Sequence, residues 1–196
     1  MGYPGGKNGA GVYQAIINQM PPHEVYIEPF LGGGAIMRNK RPARLNIGLD
    51  RDCAAISQTM ADLANSNDAP GPIAENDDGG FRFIEGDAIS FLQTYDFTGG
   101  ELVYCDPPYM HDTRKVVDLY QFEMTDEEHG ELLNTLRQLP CMVMVSGYHT
   151  GFYEERLHDW HTIQFPAMTR SGQQATEWLW MNFAPPVELH DYRFLG

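Results

Sequence analysis

The sequence holds no Cys-x-x-Cys pair, few basic residues and no long apolar run, and each shortage removes a class of protein. Its three cysteines, Cys53, Cys105 and Cys141, are odd in number and far apart. That excludes a disulfide framework and gives no zinc-site spacing. Two of them sit in apolar runs and read as small core residues. No apolar stretch approaches the roughly 20 residues that a spanning helix needs. The opening Met1-Gly2-Tyr3 does not read as a signal peptide, so a cytoplasmic chain is expected. His158 and His161 are close in sequence, but a gap that spans a helix end makes a poor metal site. No metal is expected.

The scarcest commodity is positive charge. Thirteen Lys and Arg face twenty-seven Asp and Glu, for a net charge of −14. A nucleic-acid binder normally shows a basic face. Here any such face must be local, and tight non-specific binding to DNA is disfavoured. The densest cluster, Arg38, Lys40, Arg41 and Arg44, falls at the far end of a predicted helix and reads as a solvated face.

What is present is an ordinary core. The chain has 196 residues with 42% hydrophobic content, enough for one well-buried domain over 1–196. It shows no internal repeat and no linker long enough to separate a second domain. Seven apolar runs read as strands: Val25–Ile27, Leu45–Leu49, Phe81–Ile84, Leu102–Cys105, Cys141–Val145, Trp160–Phe165 and Thr176–Phe183. Helices are predicted between them: about Gly11 to Met20, one after Gly34, Cys53 to Ala64, Ala88 to Tyr95, one to about Leu139, and Gly151 to His158. Pro21-Pro22 stops the first, and Thr125-Asp126-Glu127-Glu128 is a capping box that launches the fifth. The last two strands, with one polar turn between them, form a hairpin. The expected fold is α/β, a doubly wound Rossmann-like sheet of seven strands whose last strand runs antiparallel.

The most informative stretch closes the fourth strand. Asp106-Pro107-Pro108-Tyr109 cuts off an apolar run with a carboxylate, a rigid turn and an aromatic ring. In open α/β sheets the C-terminal strand edge is where ligands bind. The arrangement suits activation of an exocyclic amine whose lone pair is delocalised into a ring. Asp106 accepts one N–H, the Pro107 carbonyl the other, and Tyr109 offers a flat face to a base taken out of its stack. The plainer alternative is an Asx-type turn with proline punctuation. By composition, though, such a tetrapeptide arises by chance in roughly one chain in a thousand of this length.

Other strand ends carry further signals. Glu28-Pro29-Phe30-Leu31-Gly32-Gly33-Gly34 makes a strand–glycine turn–helix cradle of nucleotide type, though not the dinucleotide fingerprint. Asp50 ends the second strand about twenty residues past those glycines, where a ribose diol is gripped. Asp87 ends the third and could accept from an adenine amino group. Asp52 and Asp87 are also good helix N-caps. Tyr3-Pro4-Gly5-Gly6-Lys7 forms a loop with two glycines and one cation. Residues 110–123, with Arg114 and Lys115, and the turn holding Arg170 lie near the site edge and are candidate nucleic-acid contacts.

Taken together and in this order, the motifs resemble the Dam-like adenine-N6 DNA methyltransferases of the alpha motif order. The likeness runs from Tyr3 to Phe183. It implies S-adenosylmethionine as cofactor, DNA with a flipped-out adenine as substrate, and direct methyl transfer to N6 of adenine. Tyr3, Gly6 and Lys7 match the aromatic-x-Gly-Gly-Lys opening that contacts the cofactor. Glu28, Phe30, Gly32 and Gly34 match the methionine-binding turn, Asp50 the ribose acid and Asp87 the acid near the cofactor adenine. Asp106, Pro107, Pro108 and Tyr109 match the catalytic tetrapeptide.

One departure bears on specificity. The family's target-recognition region lies between the second-strand acid and the third strand. Here about fifteen loop residues remain after the scaffold helix, too few for a reading module with its own core. The resemblance is therefore to small phage or prophage-type members, of the kind tied to restriction–modification, with low sequence specificity. A same-fold enzyme acting on RNA or a protein amide, and a catalytically silent acidic binding module, remain open on the residues alone.

Overall fold

The structure, a computed structural model, describes residues 11–65, 80–110, 124–168 and 174–186. Seven strands form a single sheet: β1 (Val25–Glu28), β2 (Leu45–Asp50), β3 (Gly80–Glu85), β4 (Glu101–Cys105), β5 (Met142–Gly147), β6 (His161–Met168) and β7 (Gln174–Met181). Their spatial order is β3-β2-β1-β4-β5-β7-β6. The first five pair in parallel, while β7 inserts antiparallel between β5 and β6. Six strands therefore share one direction and β7 opposes them, as the sequence predicts. The hairpin register runs from His161 opposite Met181 to Met168 opposite Gln174.

Burial follows strand position. Every residue of β1 and β4 is buried, as expected of central parallel strands covered on both faces. On the described residues the edge strand β6 is more exposed, with Phe165 and Ala167 turned inward. The helices are α1 (Val12–Ile17), α2 (Ala35–Asn39), α3 (Cys53–Ala64), α4 (Ala88–Thr94), α5 (Asp126–Gln138) and α6 (Gly151–Leu157). The first three cover one face, where Ile16, Ile36, Met37 and Leu63 pack on Tyr26, Leu102, Tyr104, Met144 and Leu179. The last three cover the other, where Leu92, Leu132, Leu133, Leu136 and Leu157 pack on Ile27, Val103, Val143, Val145 and Trp180.

The capping box forms as read. Thr125 Oγ1 accepts from the Glu128 N–H, and the Glu128 carboxylate accepts from the Thr125 N–H at 2.8 Å. Helix α1 is shorter than expected, because the chain leaves the helix at Asn18, ahead of Pro21-Pro22. Cys105 and Cys141 are buried and Cys53 is exposed. Among the described residues no helix is long and apolar enough to cross a membrane, and no group of three or more His, Cys, Asp or Glu stands ready for a metal.

Candidate active site

The chain winds outward from β1 to β3, then returns to lay β4 beside β1. The crevice beyond the ends of β1 and β4 is thus the topological switch point of the sheet, where ligands of such folds bind. The glycine turn leaves β1 on one side of it, and Asp106-Pro107-Pro108-Tyr109 leaves β4 on the other.

Register explains how Asp106 is held. Cys105 pairs with Val145, so the next residues, Asp106 and Ser146, emerge side by side. Ser146 Oγ donates to Asp106 Oδ1 at 2.8 Å, and Tyr104 Oη lies 2.8 Å from the same Oγ. Ser146 has one hydroxyl proton. With that proton on Asp106, Tyr104 must donate to Ser146. A buried Tyr–Ser–Asp chain therefore fixes one carboxylate oxygen from behind. Ser146 and Tyr104 are fully buried, and Asp106 is partly exposed at the crevice.

Tyr109 is held at two points. Its hydroxyl donates to Glu177 Oε1 at 2.7 Å. One ring face lies against Tyr148, with centroids 4.3 Å apart and planes tilted by 33°. Pro107, Pro108, Tyr109, Ser146, Tyr148 and Tyr153 are among the residues lining a small cleft between the turn after β4 and the end of β5.

On the β1 side the turn is stitched to the end of β2. The Gly32 N–H donates to Asp50 Oδ2 at 2.7 Å, the Asp52 N–H to Asp50 Oδ1 at 2.8 Å, and the Leu31 N–H to the Leu49 carbonyl at 2.9 Å. Gly34 opens α2 with φ of 58°, and a β-carbon there would meet Thr59 Cγ2 at 2.4 Å. Left-handed backbone and close approach to α3 both require glycine at that position. Burial pushes the Asp50 carboxyl up, and the N–H bonds from Asp52 and Gly32 oppose it. Each carboxylate oxygen can accept a second bond, so Asp50 keeps acceptor capacity at the crevice. A diol-bearing nucleoside fits this donor and acceptor set.

Two sequence-predicted contacts, Glu28 and Phe30, have packing partners within the chain. Glu28, expected to touch the cofactor, is only 3% exposed. Its Oε2 accepts from the Tyr26 hydroxyl at 3.0 Å and from the Met37 N–H at 3.1 Å. Burial raises its carboxyl to about 8, with the nearby Asp106 charge adding to the rise. Glu28 thus supports the turn from beneath, joining β1 to α2. Phe30 is half-buried and packs on the core face that α4 to α6 cover. Lys40 is not part of a solvated basic face. It is 3% exposed, donates to the Arg41 carbonyl at 2.8 Å and to Asn46 Oδ1 at 3.2 Å, and sits 4.3 Å from the Tyr26 ring centroid. Desolvation lowers its ammonium to about 7. The short helix α2 ends with its lysine turned back under the sheet, while Arg41 and Arg44 stay exposed.

Asp52 and Asp87 do cap α3 and α4, accepting from the Ala54 and Ser90 N–H groups. Asp87 also pairs with Arg51, whose guanidinium reaches Glu128 of the capping box at 3.4 Å. Burial works to raise the Asp87 carboxyl, but the Ser90 N–H and Arg51 outweigh it and hold it below its usual range. Asp87 stands at the predicted strand end with its charge largely met from within the chain.

Tyr3, Gly6, Lys7, Arg114, Lys115 and Arg170 lie outside the described residues, as does nearly all of the loop at 65–80. Sequence reasoning missed Ser146, Tyr148, Glu177 and Arg51 as site residues. Ser146 and Tyr148 flank the glycine that ends β5. Glu177 is a lone acid beside the apolar run Trp178–Met181, and burial of such a residue is the available signal.

Residues 80–170 match the family described as D12 class N6 adenine-specific DNA methyltransferase. Comparison with curated protein sequences gives no match. Among solved structures, a SAM-dependent methyltransferase from Methanosarcina mazei is similar at 10% identity and TM-score 0.54, covering 85% of this chain and 95% of that one. A magnesium protoporphyrin IX methyltransferase from Synechocystis PCC 6803 with bound SAM is similar at 12% identity and TM-score 0.52, covering 87% and 78%. A putative RNA methyltransferase from Pyrococcus horikoshii is similar at 12% identity and TM-score 0.52, covering 86% and 77%. At such identities these likenesses speak to the fold. The family match spans β3 through β6, including the tetrapeptide after β4, on a sheet of methyltransferase topology. Over residues 80–170 the chain is thus similar to the D12 class N6 adenine-specific DNA methyltransferases.

Proposed function

We propose that this protein transfers a methyl group from S-adenosylmethionine to N6 of adenine in DNA, in the cytoplasm and with little sequence preference. The observation that carries this reading is the anchored tetrapeptide: Asp106 backed by Ser146 at 2.8 Å, and Tyr109 backed by Glu177 and Tyr148. A carboxylate and a flat ring are preset at the sheet's switch point, as in-line attack by an aromatic amine requires.

Bound S-adenosylmethionine supplies a methyl group on an electron-poor sulfonium. The residues of this chain do the rest. Asp50 holds a ribose diol, and the Gly32–Gly34 turn lets backbone approach the methionine end. Glu28 supports that turn from beneath. Asp106 would accept one N6 hydrogen and the Pro107 carbonyl the other, which localises the lone pair on N6. The methyl group supplied there would leave its sulfur as the neutral thioether S-adenosylhomocysteine, the fixed Asp106 carboxylate would favour the positive charge that develops on N6, and the surplus N6 proton would pass to solvent. Tyr109 stacks the extruded base. Tyr3, Gly6 and Lys7 are assigned to the cofactor, and Arg114, Lys115 and Arg170 to the DNA backbone, on the motif resemblance and their charge.

The test is transfer of labelled methyl from S-adenosylmethionine to DNA, RNA and protein in parallel, with nucleoside analysis of the product. N6-methyladenosine in its deoxy form, from DNA alone, is expected. Label in RNA or protein with none in DNA would overturn the substrate assignment.

A further inference from the structure

We infer that Glu177 is a positioning residue for the reaction: it holds the Tyr109 ring in the pose that stacks the target base. The inference rests on the proposed adenine substrate and deepens it by naming a group outside the family's tetrapeptide.

The geometry comes from the one antiparallel strand. Parallel strands deliver only their C-terminal ends to the crevice, but β7 runs the other way and brings its N-terminal half there. The β5–β7 register pairs Gly147 with Trp178, so the next residues on each strand, Tyr148 and Glu177, come out beside each other. Both grip Tyr109. Tyr148 lies against one ring face at 4.3 Å, and Glu177 takes the hydroxyl at 2.7 Å.

Glu177 is only 4% exposed, which is unusual for a glutamate in a strand. An acid is rarely kept at such a position unless a specific bond holds it. A tyrosine in a proline turn has two free torsions, and a stacking platform that rotates loses its alignment with the attacking nitrogen. Fixing the tip and the back of the ring removes that freedom before the base arrives. A carboxylate acceptor also draws the phenol O–H dipole outward and enriches the ring face in electron density. That face then favours the positive charge that develops on N6.

A double-mutant cycle over Tyr109→Phe and Glu177→Ala tests the inference, with Glu177→Gln as the conservative variant. If Glu177 acts through Tyr109, each single change lowers kcat about tenfold and the double change lowers it no further. Glu177→Gln keeps an acceptor oxygen and recovers most of the loss, and the Kd for S-adenosylhomocysteine stays unchanged throughout. Losses that multiply in the double variant, or Glu177→Ala at parent activity, would overturn the inference. Thermal midpoints of the same four proteins give a readout that needs no substrate: coupled shifts are expected, and additive shifts would also overturn it. Should the parent prove inactive on DNA, the substrate assignment fails, while the midpoints still decide whether Glu177 holds Tyr109.

Discussion

Ser146 donates its hydroxyl to Asp106 at 2.8 Å, across the seam between β5 and the turn after β4. Asp106 is thereby a carboxylate with one oxygen tethered to the sheet. For Asp106→Ala we expect kcat to fall by at least about a hundredfold. A charge-assisted hydrogen bond accounts for roughly 1.5–3 kcal/mol, and lost positioning adds to it. S-adenosylhomocysteine binding, measured by calorimetry, stays near the parent value. Activity within a few-fold of the parent would remove Asp106 from the catalytic assignment.

Ser146→Ala should act on both stability and turnover. It strips a fully buried hydroxyl from between Tyr104 and Asp106 and leaves each with one bond fewer. A buried polar group left short costs about 1–3 kcal/mol. Thermal unfolding should therefore drop by several degrees, and kcat should fall without a matching rise in KM for the cofactor. An unchanged melting temperature would mean that the chain of hydroxyls is not formed in solution.

The glycine turn and Asp50 predict a different phenotype. Asp50 ends β2, and its Oδ2 holds the Gly32 N–H at 2.7 Å. Asp50→Ala should weaken S-adenosylhomocysteine binding by tenfold or more, far beyond the effect of Asp106→Ala. Calorimetry on the two variants side by side checks this. Equal and small losses in both would make Asp50 a turn residue only.

Glu28 gives a pH dependence. Burial raises its carboxyl to about 8 from an ordinary 4.5. The folded state therefore binds more protons than the unfolded one between those values, so this contribution is fully present below 4.5 and is lost as pH rises through 8. Glu28→Gln cannot ionise and retains an acceptor for the Tyr26 hydroxyl and the Met37 N–H. In urea unfolding, the parent should lose stability relative to the variant steadily from pH 5 to pH 8. A constant difference over that range would contradict the buried, protonated acid.

The seven strands, the closing hairpin and the Thr125–Glu128 capping box were legible because each rests on local pattern. Asp106 was legible for the same reason: a strand, an acid and two prolines are adjacent in the chain. Ser146 and Glu177 were not, since their partners lie 40 and 68 residues away and only the sheet register brings them together. The insertion of β7 between β5 and β6 was likewise invisible in the hairpin itself, which fits either order. Lys40 misled because a cluster of four cations reads as a solvated face. The short α2 and the acceptors Asn46 Oδ1 and Arg41 carbonyl instead draw this one inside.

The proposed low sequence specificity rests on a shortage. Residues 65–80 contain no Lys or Arg, so they bring neither a phosphate anchor nor a bidentate guanine reader. With Arg114, Lys115 and Arg170 as the assigned contacts, about two or three phosphates are neutralised. The slope of log affinity against log salt should then be shallow, near −2 to −3. Filter binding of duplex DNA across a salt series measures it, and a slope steeper than about −5 would reveal a basic track that the sequence does not supply.

The most direct test is expression of the protein in a bacterial strain that lacks its own N6-methyladenine, followed by nucleoside analysis and methylation mapping of the genome. The account predicts abundant N6-methyladenine spread over many sequence contexts, with at most one or two preferred flanking bases, and none when Asp106→Ala is expressed instead. Absence of N6-methyladenine with the folded parent enzyme, or its confinement at saturation to one strict motif of four or more bases, would contradict it.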